Sequence, residues 1–163
     1  AHALDELSAK CIAWSLHFGK EPSHLANPLP TETLKTLTDF IEYSDAINVD
    51  VIESTVAWIQ IHDSRMRSMA LENNDPSSRT IMLKIEIESR IIDAASIYAG
   101  AASAFDYARR RDVRLPTLLV WEAVRAALRN MHFWDEEYPE LYKGLARREA
   151  LSKGPFEKLT SKR

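Results

Sequence analysis

Residues 77–112 read SSRTIMLKIEIESRIIDAASIYAGAASAFDYARRRD, 36 positions without a proline. Apolar side chains recur at helical spacing along the whole stretch. An ordinary helix has about 11–12 residues, whereas this one would be a rod of about 54 Å at 1.5 Å per residue. A compact chain of 163 residues has a radius of gyration of about 15 Å. The rod must therefore bend near Gly100, or the fold must be elongated along it.

Placed on a helical wheel, Ile81, Ile85, Ile92 and Ala99 share one narrow sector. A second apolar band holds Leu83, Ile87, Ile91, Ala94, Tyr98 and Phe105. Lys84 and Glu88, an i,i+4 pair of opposite charge, fall between the two bands. Only Glu86, Ser89, Arg90, Asp93 and Tyr107 form a polar face. A helix apolar over more than half its girth is expected at the centre of a fold, packed by several neighbours.

The rest of the chain is read as further helices. Leu4, Leu7, Cys11, Trp14 and Phe18 make the stripe of a first helix over 3–18, with Cys11 as a buried thiol. A three-proline connector, 21–30, leads to a second helix over 31–46 with Leu34, Leu37, Phe40 and Ile41 inward. A third, from Asp50 to about Leu71, turns Val51, Ile52, Ile59 and Met66 inward. After the central helix, Pro116 opens a helix over 116–134 that buries Val120, Val124, Leu128 and Met131. The run HFWDEEYPELY (132–142) supplies aromatics to close one end of the fold, and a short helix follows to about Ala150. With four glycines and no alternating β-branched runs, strands have little support. The fold class expected is all-α: a single-domain antiparallel bundle of five or six helices (residues 1–150) around the 77–112 helix, then a basic C-terminal tail (151–163).

Composition bounds function. Apolar residues make up 45% and charged residues 28%, the balance of an ordinary globular chain. A single cysteine excludes an internal disulfide and suits a reducing, cytoplasmic setting. No apolar run is long enough for a transmembrane span. The chain begins Ala1-His2, which fits a processed protein or a domain excised from a larger or membrane-anchored one. The net charge of −3 conceals −8 over residues 1–142 and +5 over 143–163.

Three groups of residues are candidates for function. If the third and central helices form an antiparallel hairpin, His62 and Glu88 lie level, with Asp63 and Lys84 within a turn. That node of ionisable groups in apolar arcs would bind a small ligand or a proton, since a histidine beside carboxylates titrates near neutral pH. Arg109, Arg110, Arg111 and Arg114, with Arg125 and Arg129 on the next helix, form a candidate anion site. Ala95, Ala99, Gly100 and Ser103 offer a small-residue face for close helix approach or a contact with a second copy.

No metal or cofactor is expected. Glu21 and His24 have a metal-binding spacing, but it works only on a helix, and Pro22 and Pro28 flank them. The acidic run at 135–137 lacks the spacing of a calcium loop. No nucleophile–base–orienter set is visible, so an enzyme is the least supported class. The leading expectation is a non-enzymatic regulatory or protein-interaction domain, the soluble part of a signalling or membrane-associated protein, with a protein partner or homo-oligomer. A small-ligand- or pH-sensing bundle using the 62/63/84/88 node is the alternative. Anion or nucleic-acid binding is the third reading, with nucleic acid disfavoured by the acidic charge elsewhere.

Overall fold

The computed structural model describes Cys11 and residues 31–42, 49–74, 84–110 and 118–156. Five helices lie within the described residues, with no strand among them. They are α1 (Thr31–Glu42), α2 (Val49–Asn74), α3 (Lys84–Arg110), α4 (Trp121–Asn130) and α5 (Pro139–Leu151). Cys11 is helical and fully buried; the rest of the expected first helix lies outside the described residues, as do 77–83, 111–117 and the basic end beyond Phe156.

Helix α3 packs against α2, α4 and α5, while α1 packs against α2. Its 27 residues span about 40 Å. The apolar spacing reads through into the core: Ile91, Ile92, Ala94, Ala95 and Ile97 of α3 are buried, as are Val51, Ile52, Ile59 and Met66 of α2. Two expectations from the wheel fail on α3. Ile85, assigned inward, is 59% exposed, and Asp93, assigned to the polar face, is 2% exposed. Helix α5 lies over the face that a wheel labels as solvent, for reasons of charge described below.

The helix expected over 116–134 is shorter at both ends. Leu118, Leu119 and Val120 precede it without helical structure, and Val120 is extended at φ −97°, ψ 154°. Val120 is therefore half-exposed, not inward, because helical spacing does not govern an extended residue. Leu119 is buried, and its carbonyl lies 2.4 Å from where a side chain on Gly154 would begin. Only glycine at 154 lets the C-terminal segment close over this strip.

At the other end α4 stops in a Schellman turn. The N–H of Phe133 donates to the Leu128 carbonyl at 2.9 Å, and that of His132 to Arg129 at 3.0 Å. Leu128 and Phe133, both buried, supply the hydrophobic contact that accompanies the motif. The turn needs a left-handed residue, and His132 takes it with φ 65°. Of the aromatics expected to close this end, Phe133 does so, with Tyr138 edge-on at 5.0 Å and the Tyr142 hydroxyl donating to the Phe133 carbonyl at 2.9 Å. Burial pushes the Tyr142 phenol above its usual value, against the opposing charge of Arg129. Trp134 and Tyr138 stay substantially exposed.

An L-residue in the left-handed region costs about 1 kcal/mol that glycine does not. His132 is exposed, so His132→Gly removes this cost with little loss of packing. Urea denaturation should show the variant more stable by about 0.5–1 kcal/mol; an unchanged or lower midpoint would show that the turn is not strained.

Candidate functional site

The polar centre of this molecule is Asp93 of α3. Its side chain is only 2% exposed, so the carboxylate is almost wholly withdrawn from water. An ion in such a place must be paired. Arg148 of α5 donates from Nη1 to Asp93 Oδ1 at 2.7 Å. Arg65 of α2 and Arg90 of α3 both reach Oδ2, at 3.3 and 3.4 Å. Three guanidiniums from three helices thus share one carboxylate.

Local sequence explains the arrangement. Ser89, Arg90 and Asp93 are i, i+1 and i+4, so Ser89 stacks one turn below Asp93 and Arg90 flanks both. Arg148 uses this stack: its second amino group donates to the Ser89 carbonyl at 3.1 Å and contacts the Ser89 hydroxyl. The planar fork spans side chain and backbone together, which a lysine cannot do. This clamp seats α5 on the polar face of α3.

A cleft of about 330 Å³ opens beside the clamp, lined by these charged residues and by Trp58, Trp121, Leu151 and Pro155. The Arg65 guanidinium sits 5.8 Å from the centre of the Trp58 ring, and Phe156 stacks against the same indole at 6.0 Å. Trp121 spends its N–H on the Ser152 carbonyl at 2.9 Å, which ties the C-terminal segment to α4. Two other buried donors have no acceptor among the described residues: Trp58 Nε1 and Arg90 Nε. Both atoms can only donate. Among the charged lining residues three arginines face one aspartate, a formal excess of two positive charges.

None of the residues singled out by sequence is among those lining this cleft. His62 is fully buried, Asp63 nearly so, and Glu88 is half-buried; the side chain of Lys84 lies outside the described residues. Asp63 pairs with Arg67 on its own helix and faces a groove of about 370 Å³ beside Leu34 of α1. His62 and Asp63 are adjacent, hence about 100° apart around α2, and His62 is not among the residues lining that groove. Of the arginine group, Arg109 and Arg110 fall in the last turn of α3 with their side chains outside the described residues, where Arg111 and Arg114 also lie. Arg125 is committed to Glu149 of α5 and approaches Glu122 at 3.8 Å, and Arg129 is exposed.

The small-residue face is occupied from within the chain. Ala95, Ala99 and Gly100 are buried, and Ser103 donates to the Ala99 carbonyl at 3.0 Å. A side chain on Gly100 would begin 2.2 Å from Thr55 Oγ1, itself bonded to the Val51 carbonyl at 2.6 Å. Helices α2 and α3 therefore cross here at close range.

Sequence reasoning missed the working arginines, Arg65 and Arg148, and put Arg90 and Asp93 in solvent. One signal was available: a lone acid set in the run Ile91-Ile92-Asp93-Ala94-Ala95. Among the described residues no group of histidine, cysteine, aspartate and glutamate is placed to hold a metal ion. Nor is any described helix long and apolar enough to cross a membrane. Comparison with protein-family models, with curated proteins and with solved structures returns no match to this chain.

Removing one member of a buried charge cluster costs about 3–5 kcal/mol. The arginine side chains are 43%, 22% and 31% exposed, which favours the lower figure. Asp93→Ala should thus lose about 3 kcal/mol and regain part of it in added salt, which screens the three abandoned guanidiniums. Asp135→Ala, at an exposed carboxylate, should stay within about 0.5 kcal/mol. Equal losses in the two variants, measured by chemical denaturation, would remove Asp93 from its central place.

Proposed function

We propose that this chain is a non-enzymatic helical binding domain, built as an antiparallel bundle around α3, that receives an anionic group in the cleft beside Asp93. What supports this reading is the excess of positive charge in the cleft, where Arg65, Arg90 and Arg148 surround the single carboxylate of Asp93. An oxyanion supplies acceptors and opposite charge together. Guanidinium forks match phosphate and carboxylate geometry. A purely structural cluster would be expected to carry as many carboxylates as guanidiniums.

Binding at this place would regulate through packing, because the residues that would hold the anion also fasten α5 to α3. A regulatory or interaction role in a signalling or membrane-associated setting fits that coupling. The other reading, a pH-sensing node at His62, Asp63, Lys84 and Glu88, draws support from the burial of His62 and Asp63.

The test is thermal unfolding in sodium phosphate against sodium chloride at matched ionic strength. Phosphate at tenfold its Kd stabilises by about 1.4 kcal/mol, a rise of about 3–6 °C for a chain of this size. Phosphate also stabilises proteins generally, so the readout is the difference between wild type and Arg90→Gln. The account expects most of the rise to vanish in the variant; an equal rise in both proteins would refute it.

A further inference from the structure

The cleft is larger and greasier than an inorganic anion needs. Its volume of about 330 Å³ lies at the small end of the range for organic ligands. Its lining combines the charged cluster of Arg65, Arg90 and Arg148 around Asp93 with apolar side chains. The Trp121 ring offers only hydrocarbon to the cleft, since its N–H is committed to Ser152. Beside it stand Pro155 and Leu151, the latter 79% exposed at the end of α5. An exposed leucine at the lip of a charged cleft is the kind of surface that an apolar ligand body covers.

We infer that the ligand is a small organic phosphate monoester, its phosphate held by the arginines and its apolar body laid on Trp121, Leu151 and Pro155. This rests on the anion-binding reading above and names the ligand class for that site. Charge selects the head group. The three guanidiniums less Asp93 leave an excess of two, which a phosphate monoester at about −1.5 to −2 neutralises and a single carboxylate does not. Shape agrees, because a tetrahedral head accepts from several directions at once, whereas the donors come from α2, α3 and α5. The apolar wall selects an ester over free phosphate.

Phenyl phosphate is the probe, with inorganic phosphate and phenol as its two halves, each titrated calorimetrically into the full chain. Phenyl phosphate should bind at least tenfold more tightly than inorganic phosphate. That ratio needs burial of only about 55 Å² of apolar surface at 25 cal/mol/Å², well below the 150–250 Å² that an aromatic side chain buries. Leu151→Ser, at a position that contributes nothing to the core, should narrow the ratio by about threefold while leaving inorganic phosphate unchanged. Arg65→Gln, on a half-exposed side chain, should weaken both phosphates alike.

Equal affinity for phenyl and inorganic phosphate would overturn the organic ligand and leave the anion site standing. Failure of both phosphates to bind, or phenol binding as tightly as phenyl phosphate, would overturn the anion site as well. An unchanged ratio in Leu151→Ser would place the apolar body elsewhere and overturn the inferred site.

Discussion

One carboxylate shared by three guanidiniums fastens the core of this protein. Asp93 is almost wholly buried, and each arginine that meets it arrives from a different helix. Hydrocarbon packing alone would let α5 slide along α3, because dispersion and burial are non-directional. Hydrogen bonds to a fixed carboxylate are directional. The two-pronged hold of Arg148 on Asp93 and Ser89 fixes both the position and the rotation of α5.

The same fixation shapes the cleft. Once α5 is seated, Leu151 and the segment after it are carried against α2 and α4, where Trp121 holds Ser152 and Trp58 stacks on Phe156. Gly154 permits this closure by its lack of a side chain over Leu119. The wall of the cleft is thus a consequence of the clamp, and the clamp's unmatched positive charge faces the space that the wall encloses. Packing and the proposed anion binding draw on the same three arginines, so the two would influence each other.

Much of the helical framework was legible in the sequence. The apolar spacing of Val51, Ile52, Ile59 and Met66, and of Ile91, Ile92 and Ala95, marks residues that the structure buries. The small residues around Gly100 pointed to close helix approach, and Thr55 is what approaches. The site was not legible. A wheel sorts residues into apolar and polar faces but does not say which distant helix covers the polar one. Arg148 lies 55 positions from Asp93, and nothing local to either residue announces the other. His62 and Glu88 attracted attention because their charge interrupted apolar arcs, whereas Asp93 shares the polar face of the wheel with Glu86, Ser89 and Arg90, and only its apolar neighbours along the chain set it apart. The boundaries of α4 were missed for a different reason: Leu118-Leu119-Val120 continues a helical pattern in composition, but tertiary contact with Gly154 holds Leu119 at the boundary. At the far end a histidine, not a glycine, takes the left-handed turn.

The central claim is energetic coupling between two side chains on different helices, and a double-mutant cycle measures it. Asp93→Asn, Arg148→Met and the double variant, unfolded in urea beside the wild type, give the interaction energy after each single loss is subtracted. The account predicts a coupling of at least about 1 kcal/mol, within the range of about 0.5–3 kcal/mol for residues in one network. Losses that simply add to within about 0.3 kcal/mol would show that Arg148 does not depend on Asp93, and the clamp would not exist.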